Sequence, residues 1–182
     1  KVLLAAIQNQ SLNRFNILMQ FANLEKPPIE IECFSAIRGV YDEENSNIAI
    51  IDIGAVSTKL YLVKDGLLQR MHRVRAGGVI ATKRIASVLE LSFDEAETKK
   101  RNTKKTDSDF REIAKLHDLS YERTWQEFRQ VIAEYENVFG VHLNKIYLTG
   151  GGAVFPTTKN MLTEALKKEV AIVDTFNKVS YP

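Results

Sequence analysis

The sequence predicts an α/β fold, and three observations carry that prediction. Apolar, β-branched runs follow one another closely between Asn47 and Val74. Trp125, Phe128, Ile132, Tyr135 and Phe139 are spaced three, four, three and four residues apart, the period of a helix with one apolar face. Short strand-like runs and helix-like stretches then alternate towards the end of the chain, which calls for helices packed on a sheet.

Taken in order, Val2 to Ile7 reads as a buried strand. Ser11 offers an N-cap for a helix to about Ala22, with Leu12, Phe15, Leu18 and Met19 on one face. The Pro27-Pro28 pair breaks the chain before a short strand, Ile29 to Cys33, and a short helix around Phe34 to Val40. A boundary is therefore expected after residue 28, between a small strand-helix remnant of a preceding subdomain and a main domain over 29–182. Ile48 to Ile53, Lys59 to Val63 and Leu67 to Val74 form a three-stranded meander, with Lys64-Asp65-Gly66 as its second turn. A helical insertion around 78–140 follows: one helix from Gly78 to Leu89, one from Phe93 to about Arg101, a polar loop to Asp109, and the aromatic stripe ending at Gly140. Lys145 to Leu148 is a strand, Pro156 starts a helix to about Lys168, and Val170 to Val173 is the last strand.

Composition limits the function. With 182 residues, 45% of them hydrophobic and 26% charged, the chain has the make-up of a globular domain with a real core. A net charge of +2 creates no field that selects nucleic acid or an anionic surface. The basic run of Lys99, Lys100, Arg101, Lys104 and Lys105 has no interleaved aromatics and reads as a solvated surface. The one cysteine, Cys33, has no partner for an intrachain disulfide and reads as a small buried apolar residue, which fits a reducing, cytosolic setting. His72, His117 and His142 are scattered and receive no catalytic role. The chain opens on Lys1 rather than Met, and it is expected to be part of a longer protein.

Two segments carry chemistry. In Asp52-Ile53-Gly54-Ala55-Val56-Ser57-Thr58 an acid ends a buried strand, a glycine turn follows, and two hydroxyls begin the next strand. Gly54 lets backbone approach an anion, Ser57 and Thr58 can bond phosphate oxygens, and Asp52 can hold a hydrated magnesium ion. The plain alternative is an ordinary hairpin. In Thr149-Gly150-Gly151-Gly152-Ala153 a strand gives way to a helix through three glycines, which leaves room for a flat ring or sugar on the backbone. The second segment is neither a Walker loop, since no Gly-Lys-Ser/Thr follows, nor a dinucleotide fingerprint.

The order of these motifs resembles the actin, heat-shock chaperone and sugar kinase superfamily, whose domains are ribonuclease H-like. Asp52 to Thr58 resembles the second phosphate motif of that superfamily, and Leu148 to Ala153 its adenosine motif. Gly77-Gly78 with Thr82 and Ile85, and Ala96-Glu97 through Lys100-Arg101, look like segments of the FtsA and PilM assembly proteins. The resemblance implies an actin-like ATPase domain with a mixed sheet and flanking helices. It also implies ATP and Mg2+ as cofactors, with Asp52 at the metal and in the catalytic role, and Gly54, Ser57, Thr58, Gly77, Gly78, Glu97, Lys100, Gly150, Gly151 and Gly152 around the nucleotide. Glu97 and Lys100 would face the ribose and base.

By the same resemblance the protein is a cytoplasmic scaffold for type IV pilus, competence or secretion-system assembly, working with a membrane-anchored partner and able to self-associate by analogy. Lys59 follows Thr58 where FtsA usually has an acid, which is nearer to PilM. The first phosphate motif is not in this sequence, so the stretch alone is not expected to hydrolyse ATP efficiently. A small-molecule kinase, an FtsA-like division scaffold and a scaffold that has lost nucleotide binding stand as alternatives.

Overall fold

The computed structural model describes residues 6–25, 29–42, 47–143, 145–174, 176 and 178. The chain divides into two compact units, Lys1–Ile31 and Glu32–Pro182. Most of the strand expected at Val2 to Ile7 lies outside the described residues, and Ala6 and Ile7 have no regular structure.

In the first unit α1 spans Asn9–Phe21. It begins two residues before the expected cap at Ser11, with Gln8 as N-cap and no side-chain capping bond. The backbone substitutes: the Ser11 and Leu12 amides both donate to the Gln8 carbonyl. At the other end Asn23 takes a left-handed φ of 50°. Leu24 N–H returns to the Met19 carbonyl, a Schellman closure. The shared apolar face is present but not buried. Phe15 and Leu18 are exposed, and α1 has no buried residue. A helical stripe states which residues share a face, and burial needs a second layer that the described residues of this unit do not supply.

In the second unit α2 is Glu32–Val40, so Glu32 and Cys33 begin a helix and do not end a strand. The spacing decides this: Cys33 and Ile37, one helical turn apart, are the two buried residues, and Glu32 suits the positive first turn. The meander forms as expected from β1 (Asn47–Ile53), β2 (Thr58–Lys64) and β3 (Leu67–Val74). Asp65 and Gly66 both take positive φ, the geometry of a two-residue hairpin turn. β4 (Lys145–Thr149) pairs parallel to β1, and β5 (Glu169–Ile172) pairs parallel to β4. The sheet order is β3-β2-β1-β4-β5, a mixed sheet. β1 is central: Ile48 to Ile51 and Ile53 are all buried, which a near-continuous apolar run predicts.

The helices are α3 (Gly78–Val88), α4 (Phe93–Asn102), α5 (Phe110–Leu119), α6 (Glu122–Phe139) and α7 (Thr158–Leu166). Ser92 and Glu95 close a capping box at the start of α4. Trp125, Phe128, Ile132 and Tyr135 of α6 are buried in the core that covers β1, β2, β4 and α7, while Phe139 is 39% exposed. Gly140 ends α6 with φ 59°. A smaller cluster joins Ile85, Ala96, Ile113, Ala114, Leu116 and Phe155, and so links α3, α4, α5 and the segment before α7. α7 begins at Thr158 and not at Pro156, because a 3-10 turn, Gly151–Val154, and a further turn take up the intervening residues.

Candidate functional site

Three backbone segments meet at the end of β1, and glycines permit the approach. Gly78 N–H donates to the Gly54 carbonyl at 3.0 Å, and Val79 N–H donates to the Ala55 carbonyl at 2.8 Å. The first amides of α3 are thus spent on the hairpin turn. Gly77 sits so close that a Cβ there would lie 2.5 Å from the Gly54 oxygen. From the other side Gly150, with φ +88°, would set a Cβ against the Asp52 carboxylate and 2.5 Å from the Ile53 carbonyl. Gly152 leaves room for the Ile53 side chain, and Gly151 has nothing within 4 Å of its Cβ direction. The N–H groups of Ala55, Val56, Gly151 and Gly152 donate to no described backbone carbonyl. Two glycine turns therefore present amides that can receive an anion.

Asp52 stands in register with Lys59 across the β1–β2 hairpin. Lys59 Nζ lies 3.5 Å from Asp52 Oδ2 and donates to both Glu32 carboxylate oxygens, at 2.7 and 2.6 Å. Burial pushes the Asp52 carboxyl up, Lys59 opposes that, and Glu32 adds to it. Ser57 is buried, and the fully buried Thr58 donates its hydroxyl proton to the Ala76 carbonyl at 2.5 Å. That bond ties the start of β2 to the chain just before α3.

Glu97 and Lys100 are brought together with Thr82, as residue types on neighbouring helices α3 and α4. Lys100 Nζ donates to Glu97 Oε2 at 2.6 Å, to Thr82 Oγ1 at 2.7 Å and to the Gly78 carbonyl at 3.2 Å. Arg101 Nε holds the other Glu97 oxygen at 2.7 Å. Burial alone would raise the Glu97 carboxyl, but the bonds from Lys100, Thr82 and Arg101 prevail and hold it down to about 2.

These groups border a cleft of about 730 Å³, within the size range of small-molecule sites. Gly54, Gly78, Glu97, Lys100, Gly151 and Gly152 line it, whereas Asp52, Ser57, Thr58, Gly77 and Gly150 are not among its lining residues. The sequence reading gave no site role to His117, Tyr121 or Phe155, which also line it. His117 stacks on Phe155 at 3.7 Å between ring centres. Its Nδ1 meets Asp118 Oδ1 at 3.0 Å, and that same oxygen accepts from Thr157 at 2.6 Å, which fastens α5 to the segment after the glycines. The buried Tyr121 hydroxyl has no hydrogen-bond partner among the described residues. α5 does show an apolar face in Ile113, Ala114 and Leu116, and that signal would have placed His117 on the same face.

The model of the type IV pilus assembly protein PilM family matches residues 1–182. The chain belongs to that family. Among solved structures it is similar to a chain of the PilM–PilN type IV pilus biogenesis complex, with TM-score 0.79 and 20% identity over 94% of this chain and 50% of that one. It is similar to MreB5 of Spiroplasma citri bound to ADP, with TM-score 0.71 and 16% identity over 94% of this chain and 62% of that one. The ethanolamine utilization protein EutJ from Carboxydothermus hydrogenoformans gives TM-score 0.61 and 24% identity over 71% of this chain and 45% of that one. No curated protein sequence matches. At these identities the structures establish the fold, that of the actin-like ATPases, which is the fold the motif order implied. This PilM-family chain spans 45%, 50% and 62% of the lengths of the EutJ, PilM–PilN and MreB5 chains.

The donor set of the PilM-family cleft fits a nucleotide: turn amides for phosphates, an orphaned tyrosine hydroxyl, and a fixed carboxylate and ammonium in the same lining. For a metal the protein offers less. Asp52 is a suitable carboxylate at the strand end, but among the described residues no group of three His, Cys, Asp or Glu side chains could hold an ion. Such a site suits magnesium that arrives with phosphate oxygens as its other ligands. Among the described residues no helix is long and apolar enough to cross a membrane.

Proposed function

We propose that this chain forms one wall of an ATP–magnesium site in a cytoplasmic scaffold for type IV pilus, competence or secretion-system assembly. The observation that carries the reading is the single cleft shared by the Gly54 turn, the Gly151-Gly152 turn and the Glu97–Lys100 pair. In this reading Asp52 holds the metal and its water, and the Gly54 and Gly151 turns receive phosphates and sugar through their amides. Glu97 and Lys100 flank the adenosine. Thr58, Gly77 and Gly150 act by holding those segments in contact, which their hydrogen bond and close approaches support. Magnesium, when bound, would neutralise phosphate charge. Domain closure over the nucleotide would set the contacts with a membrane-anchored partner.

The test uses the full-length protein. Calorimetric titration with a non-hydrolysable ATP analogue and Mg2+ should show binding, and Asp52→Ala should weaken it. Unchanged affinity in that variant would remove Asp52 from the metal role, and no binding at all would remove the nucleotide. A pilus partner is supported by family membership and by the likeness to a chain of the PilM–PilN complex. Capture of the full-length protein by the cytoplasmic peptide of a pilus membrane protein, dependent on nucleotide, is the expected result.

A further inference from the structure

Lys59 is placed at the one carboxylate that the nucleotide reading assigns to the metal. We propose that Lys59 is a tethered counter-ion that closes the Asp52–Glu32 pair to free divalent metal, so that metal enters only with the phosphates of a nucleotide. The inference rests on the nucleotide reading above and adds an order of binding to it.

The antiparallel register fixes Lys59 opposite Asp52. Its ammonium is in contact with two carboxylates at once, 3.5 Å from Asp52 and 2.6 Å from Glu32. The Lys59 and Asp52 side chains are 20% and 17% exposed, while Glu32 is 66% exposed, so the inner pair is the shielded one. Two carboxylates and one ammonium leave one negative charge. A free divalent ion would have to displace the ammonium or sit beside it, and like charges at contact distance in a partly buried site repel strongly. Among the described residues no group of three His, Cys, Asp or Glu side chains surrounds Asp52 to compensate.

A metal–nucleotide complex changes this balance. Its phosphate oxygens supply the missing metal ligands. They also give the ammonium new acceptors, and a lysine head on a four-carbon stem can swing from carboxylate to phosphate. No bond is made or broken in the exchange.

The experiment measures Mn2+ binding to the full-length protein by electron paramagnetic resonance with no nucleotide present. Wild type should leave Mn2+ free. Lys59→Met, which keeps the apolar stem and removes the charge, should bind it at least about tenfold more tightly, the scale of one lost charge contact in a partly buried site. Adding Asp52→Asn to Lys59→Met should abolish that gain, and Lys59→Arg should behave like wild type. Equal affinities in wild type and Lys59→Met would overturn the proposal, as would a gain that survives Asp52→Asn. If Lys59→Met does not fold, Lys59→Gln carries the same comparison. Because nucleotide is absent, failure of ATP binding leaves the metal result readable, and equal metal affinities leave the nucleotide reading intact.

Discussion

A methyl group built on the α-carbon of Gly77 would lie 2.5 Å from the carbonyl oxygen of Gly54. Both atoms belong to backbone that is already hydrogen bonded, so neither can rotate away. Gly77→Ala is therefore expected to lose about 1–3 kcal/mol in urea denaturation, the usual cost of overpacking. Gly39 is the control: its Cβ direction is open and it lies within α2. Gly39→Ala should gain about 0.5–1 kcal/mol, because alanine restricts the unfolded chain and favours helix.

The three consecutive glycines should separate in the same assay. Gly150 has φ +88° and faces the Ile53 carbonyl, so Gly150→Ala should cost about 1–3 kcal/mol in strain. Gly151 faces open space, and Gly151→Ala should keep stability within about 0.5 kcal/mol of wild type. Gly151 lines the cleft, so on the proposed function the analogue should bind Gly151→Ala more weakly in calorimetry.

Lys100 and Glu97 should prove coupled. Their side chains are 12% and 26% exposed, and each holds the other's charge. Lys100→Met leaves a carboxylate facing Thr82 without its ammonium and should cost about 1–2 kcal/mol, reduced from the fully buried case by solvent. Lys100→Met with Glu97→Gln should cost less than the two single changes added, as a double-mutant cycle in urea would show.

Two groups should shape the acid limb of stability in different windows. Glu97 is held down to about 2 in the fold, so its contribution is present above the ordinary carboxylate range and is lost as pH falls towards 2. Burial holds His117 below its ordinary 6.5. Its neutral form is the folded one, and stability is lost as pH drops below 6.5. Thermal melts across pH should show His117→Gln flattening the upper part of the curve and Glu97→Gln the lower part. A curve unchanged by His117→Gln would mean that its burial is not what opposes protonation.

Local chemistry in the sequence determined the meander, the Asp65-Gly66 turn, the α6 stripe and the positions of both glycine turns, because each depends on residues a few places apart. The strand expected at Ile29 to Cys33 failed for the same local reason read wrongly, since Cys33 and Ile37 share a helical face. What the tertiary structure alone decided is which atoms oppose one another across long stretches of chain. Gly77 packs on Gly54, Gly150 on Ile53, Lys100 reaches back to Gly78, and His117 stacks on Phe155. No spacing encodes those meetings, because the sheet order and the helices that cover it set them; the apolar face of α5 was legible as a helical pattern, but that it packs with α3, α4 and Phe155 was not.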